Sequence, residues 1–186
     1  MGKYTATNLP NDGESIDAAD VNTDLQGIID EFNGNIENDN IKSTAAIALS
    51  KLATDAWTAN VPAWTGATTN PVIGNGVLIG RSIKIGRIVT FSFVIIAGST
   101  TTFGSGQYAI SLPYTAATVT NQVWSGIAAM YDANNVDYLG KICVDSAATT
   151  LNISLEGATN KWGPTAPFTM VDGDQVDGTV TYESAA

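Results

Sequence analysis

The chain divides into two parts whose residue patterns do not belong to one kind of fold, and this contrast constrains the architecture more than any motif. Residues 1–56 are acidic and carry one narrow apolar stripe at helical spacing, too little to form a core. Residues 57–186 alternate short apolar runs with turns rich in Gly, Thr and Ser, the pattern of an all-β domain. A thin rod joined to a compact head leaves the rod's apolar stripe uncovered unless copies associate. Self-assembly is therefore the first expectation.

Composition then removes whole classes of chemistry. The sequence has no His and one Cys, so neither a Ser–His–Asp triad nor a Cys–His pair can be built, and zinc and haem lose their usual ligands. Carboxylates alone remain for catalysis, and the reading is that the protein is not an enzyme and uses no cofactor or metal. The net charge is −10, with ten Asp/Glu against three Lys in residues 1–56 (−7) and eight against five Lys/Arg in residues 57–186 (−3). Phosphate backbones need the opposite sign, which argues against nucleic acid as a partner. No apolar run approaches the roughly 18 residues of a membrane span, and the start of the chain lacks a signal-peptide apolar segment. The expectation is synthesis in a cytoplasm without membrane insertion, with any outside role reached by a route other than Sec export.

Residues 1–15 hold turn chemistry without a period (Asn8-Leu9-Pro10-Asn11-Asp12-Gly13) and read as an extended arm. Residues 16–56 read as a helical shaft and connector. Asp17 is a candidate cap and Asp20 follows three residues later. Val21, Leu25, Ile28 and Phe32 then fall at spacings of four, three and four, the seam of a coiled coil, with Ile36 extending it. The stripe has two conceivable covers, another copy or the β-domain. Its narrowness and acidic flanks favour another copy. Beyond Asn33-Gly34-Asn35, the repeated Asn-Ile pairs and the segment Ala45-Ala46-Ile47-Ala48-Leu49-Ser50-Lys51-Leu52 fit either axis-facing turns or a second helix.

In the head, residues 77–96 read as two strands joined at Gly86-Arg87, with Phe91, Phe93 and Ile95 on one face. Residues 108–112 are a strand, 123–131 and 136–144 a hairpin, and 150–155 and 175–182 the last strands. About seven short strands without helices predict a mainly β head of β-sandwich or jelly-roll type. Cys143 lies in an alternating run and is expected to be a small core residue.

Three candidate sites have plainer explanations. Gly74-Asn75-Gly76 leads into a strand, not the helix a phosphate loop needs. Asp172, Asp174 and Asp177 have a calcium-like spacing without the rest of a binding loop. Asp132, Asp137 and Glu156 are carboxylates with nothing to fix a glycosidase separation. The set that suits shallow sugar recognition is Asn134, Asn135, Asp137, Tyr138, Lys161 and Trp162, where amides read hydroxyls and rings stack on sugar faces.

Several of these segments resemble a known class. Ser15-Ile16-Asp17-Ala18-Ala19-Asp20-Val21-Asn22, the Asn-Ile repeats and Ala48-Leu49-Ser50-Lys51-Leu52 are similar to shafts of tailed-bacteriophage fibre proteins. Gly74-Asn75-Gly76-Val77-Leu78-Ile79-Gly80-Arg81, Ile85-Gly86-Arg87-Ile88-Val89-Thr90-Phe91, residues 98–106 and Ser111-Leu112-Pro113 resemble, in that order, a C-terminal β-domain of phage virion appendages. Residues 166–174 and Gly178-Thr179-Val180-Thr181-Tyr182-Glu183 fit the same pattern. The resemblance implies a homotrimer in the virion, a fibre or spike whose head attaches to a glycan or protein of the host surface. Its arm would dock on a capsid, collar or tail protein. The alternatives are a capsid head fibre or decoration protein with a mainly structural role and, more distantly, a glycan-cleaving enzyme.

Overall fold

The structure is a computed structural model that describes residues 18–33, 41, 56–133, 136–155 and 161–186. The N-terminal arm, Ile36, residues 42–55, Asn134, Asn135 and Glu156 lie outside these. The chain divides into two compact units, Met1–Ala53 and Thr54–Ala186.

In the first unit, helix α1 (Ala18–Phe32) occupies the segment with the seam spacing. Thr23 Oγ1 donates to the Ala19 carbonyl at 2.8 Å and Gln26 Nε2 to Asp30 Oδ1 at 2.8 Å, both i,i+4 contacts that support the turns. Asn33 N donates to the Ile29 carbonyl at 2.9 Å, the last helical bond before Gly34.

The second unit is mainly β. Its strands are β1 (Thr58–Ala59), β2 (Trp64–Gly66), β3 (Val77–Ile85), β4 (Ile88–Ile96), β5 (Tyr108–Ser111), β6 (Val123–Asp132), β7 (Val136–Asp145), β8 (Thr150–Leu155) and β9 (Gln175–Glu183). They form one continuous antiparallel sheet in the order β1-β3-β4-β9-β6-β7-β8-β5-β2, curled into a half-barrel. The alternation predicts the strands, but their order is not that of two separately ordered sheets. The last strand enters between β4 and β6 and so joins the β3–β4 hairpin to the β6–β7 hairpin. The β3–β4 connection is the two-residue turn Gly86-Arg87, with Gly86 at φ 60° in the left-handed region that this hairpin needs at its first position.

Alternate residues of each strand meet on the concave side. There Val89, Phe91, Phe93 and Ile95 of β4 pack with Met130, Ile142, Val144, Leu151, Ile153, Val176, Val180 and Tyr182 in a single core. One level of this face is unusually thin. Gly80, Phe93, Gly178, Ala128 and Gly140 are successive register partners across five strands, so one aromatic ring is flanked by almost no side-chain bulk. A Cβ on Gly178 would come within 2.7 Å of Ile142 Cδ1 and 3.0 Å of the Phe93 ring, and one on Gly140 within 2.8 Å of Met130 Cε. The missing side chains let the sheet fold over its own core. At the β2–β5 end, Trp64 and Trp162 stack at 6.0 Å with planes 1° apart, and Tyr108 meets them edge-on at 5.0 and 4.7 Å.

Cys143 corrects an expectation. On β7 the residues Gly140, Ile142 and Val144 are buried, whereas Lys141 and Cys143 lie on the outer face. The thiol is half-buried there, with Sγ 3.8 Å from Ser154 Oγ.

Two predictions test this packing. Gly178→Ala forces a methyl group into the Phe93–Ile142 contact and lowers folding stability by about 1–3 kcal/mol in a urea titration. The second concerns Tyr182, whose hydroxyl donates to the Tyr114 carbonyl at 2.7 Å and accepts from Tyr114 N at 3.2 Å. Burial pushes its pKa up to about 12. The unfolded chain releases this proton near pH 10, about the ordinary value, while the folded chain still holds it. Its stabilisation is therefore complete below about pH 10 and is lost as pH rises from there toward 12. Folding free energy measured across this range falls steeply, and Tyr182→Phe flattens the fall.

Candidate functional site

The residues proposed for recognition divide by strand parity. Asp137 and Tyr138 are neighbours on β7 and point to opposite faces: Asp137 is exposed on the convex side, and Tyr138 turns inward to stack on Phe168 at 5.4 Å. Lys161 and Trp162 divide in the same way. Lys161 bridges Ser154 of β8, whose register partner is Lys141, which places Lys161 in the outer row of Lys141. Trp162 is 1% exposed and stacked on Trp64, so its ring is a core element and cannot lie on a sugar. Of the set, Asp137 and Lys161 share the convex side, Tyr138 and Trp162 serve the interior, and Asn134 and Asn135 lie outside the described residues.

Among the described residues, two hollows of the head lie near these side chains. The larger, about 450 Å³, is lined by Gly126, Ile127, Leu139, Gly140, Lys141, Ser154 and Leu155. The smaller, about 290 Å³, lies between the 106–107 and 163–166 segments, with Lys161 on its wall. The sequence reading missed the larger one. Its signal was available in β7, where Leu139 and Cys143 are apolar yet out of phase with the inward set Tyr138, Ile142 and Val144. An apolar residue on the wrong parity marks an outer face with something to cover.

The end of β6 is held at Ala133. Asp174 is 0% exposed, and its two carboxylate oxygens accept from Ala133 N at 2.8 Å and Val171 N at 2.6 Å. Its own carbonyl accepts from Ala97 N at 2.8 Å. A buried carboxylate committed to two backbone amides is an anchor, and this disperses the calcium-like spacing. Asp177 instead sits on the outer side of β9 and accepts from Gln175 Nε2 at 3.1 Å. Among the described residues, no cluster of three or more His, Cys, Asp or Glu is placed to hold a metal ion.

No protein-family model, curated protein or solved structure matches the chain.

The anchor is testable. Asp174→Ala leaves the Ala133 and Val171 amides without their acceptor and destabilises the head by about 1–3 kcal/mol in thermal or urea unfolding. Asp174→Asn keeps one acceptor oxygen and loses less. Equal stability of Asp174→Ala and the parent would refute the anchoring role.

Proposed function

We propose that the chain is a structural subunit of a tailed-phage virion appendage, a homotrimeric fibre or spike whose β-head attaches to the host surface. The observation that carries this reading is the bare seam of α1. Val21, Leu25 and Ile28 are 42%, 50% and 41% exposed, and in this reading further copies of the chain cover the apolar stripe of the short helix. The spacing assigns Val21 and Ile28 to d positions and Leu25 and Phe32 to a positions. Leu at a with Ile at d favours three or four strands over two. The resemblance of the shaft and head segments to phage fibre proteins supplies the virion setting and the docking role of residues 1–15.

In this reading the loops around the Asp174-anchored hairpin tip and the Lys161 hollow present the head to a host glycan or protein. A second reading, a head fibre or decoration protein with a mainly structural role, is favoured by one observation: Trp162 and Tyr138 are turned into the interior, which removes both aromatic rings from the recognition set.

Particles assembled with the full chain and with a chain lacking residues 2–14 separate docking from folding. The truncated chain is expected to remain a folded oligomer and to be missing from purified particles. Particles that still carry it would refute the docking assignment. Asn135→Ala combined with Lys161→Glu should leave incorporation unchanged and reduce adsorption to host cells. Unchanged adsorption would favour the structural reading.

A further inference from the structure

The convex face of the head carries a pattern that the core does not explain. On β6 and β7 the outward residues fall into five rows of register partners, of which the three nearest the connecting turn are Ile127 with Lys141, Ala129 with Leu139, and Tyr131 with Asp137. Ile127 is 70% exposed and Leu139 67%, among the most exposed large apolar side chains of the head. Among the described residues, neither Lys141 nor Asp137 forms an ion pair. In a chain of net charge −10 these three rows are neutral, with one cation and one anion at their two ends, and Asp145 lies two rows beyond Lys141.

We propose that this patch is a two-fold interface with a second copy of the same chain. A two-fold contact requires a self-complementary surface, in which residue i meets j and j meets i. Consider a two-fold axis lying in the interface plane along the middle row, across the strands. It places β7 antiparallel over β7 of the second copy and β6 over β6. Leu139 then meets Leu139, and Ala129 meets Ala129. Lys141 of each copy meets Asp137 of the other, and Ile127 meets Tyr131. Both outer rows thus exchange like chemistry for its complement: cation for anion, and aliphatic for aromatic. An axis along the strands, between β6 and β7, would instead set Lys141 on Ile127 and Asp137 on Tyr131 and leave both charges without a partner, so charge selects the first arrangement.

The shape agrees. The 450 Å³ hollow beside Ile127 and Leu139 gives two leucines meeting on the axis room to interdigitate. The sheet is convex on this side, so contact is confined to β6 and β7 and the Asp177 carboxylates of β9 curve away from each other. Two strands by three rows cover less than the roughly 800 Å² per partner of a standard interface, so the contact is weak by itself. Three heads on a three-stranded shaft cannot all pair with one another. The face therefore joins heads of neighbouring assemblies, and the inference rests on the assembly reading only for that consequence.

Sedimentation of the full chain over a concentration series separates the two contacts. Leu25→Asp with Ile28→Asp removes the helical seam and should leave a species of twice the monomer mass, held by the heads. In that background Asp137→Lys alone and Lys141→Asp alone should each halve the mass by setting like charges across the axis. The two reversals together should restore the twofold mass. A seam variant that is monomeric throughout the series overturns the head interface and leaves the helical seam standing. A pair that persists through either single reversal overturns the proposed register. An unmutated chain that is itself monomeric refutes both contacts, whereas a twofold mass lost with Leu139→Asp and insensitive to the seam changes refutes the seam alone.

Discussion

A sheet of nine strands can curl around its own side chains only where those side chains make room, and here the room is concentrated at one level. Gly80, Gly178, Ala128 and Gly140 flank the Phe93 ring, so neighbouring strands approach a shared core without competing for its volume. The rest of the head follows from that bend. It lets β9 lie between the two long hairpins, brings the Trp64–Trp162 stack under the far end of the sheet, and makes one face convex and bare. Bulk at Gly178 would open the curl, expose the core and separate the loops that Asp174 holds.

The strands were legible in the sequence because their period is local. Residues 77–96 show a two-residue glycine turn between alternating runs, and Phe91, Phe93 and Ile95 do share the buried face. Strand order was not legible. Pairing of β9 with both β4 and β6 depends on contacts about ninety and fifty residues apart, which no window of periodicity contains. The expected sandwich and the observed half-barrel use the same strands in different neighbourhoods. Parity explains the errors at single residues. Cys143 and Leu139 look like core by composition, but they alternate out of phase with Ile142 and Val144. Trp162 stands in a segment too short to have a period, and its burial depends on Trp64, nearly a hundred residues earlier.

The two proposed contacts, the acidic helical seam and the convex face of the head, differ in their electrostatics. In the proposed trimer three copies of α1 would bring together four acidic residues each, with no basic group in the last turn to offset them, so their apolar seam would work against mutual repulsion. In the proposed head contact Lys141 and Asp137 instead balance one another. Added salt should therefore tighten the helical seam by screening repulsion and loosen the head contact by screening attraction.

The segment from Thr58 to Gly66 has a mechanical consequence. Its two ends, β1 and β2, occupy opposite edges of the sheet, yet only four residues separate them. A chain extends at most about 3.6 Å per residue, so those edges stand within roughly 18 Å of each other and the segment straps the mouth of the half-barrel. Any tension carried along the chain from residues 1–53 reaches the head at this strap. β1 contributes two paired residues and β2 three, and bonds so few peel one after another under load instead of sharing it. The strap would thus yield first, opening the mouth while the long central strands, fastened along nine- and ten-residue registers, stay intact.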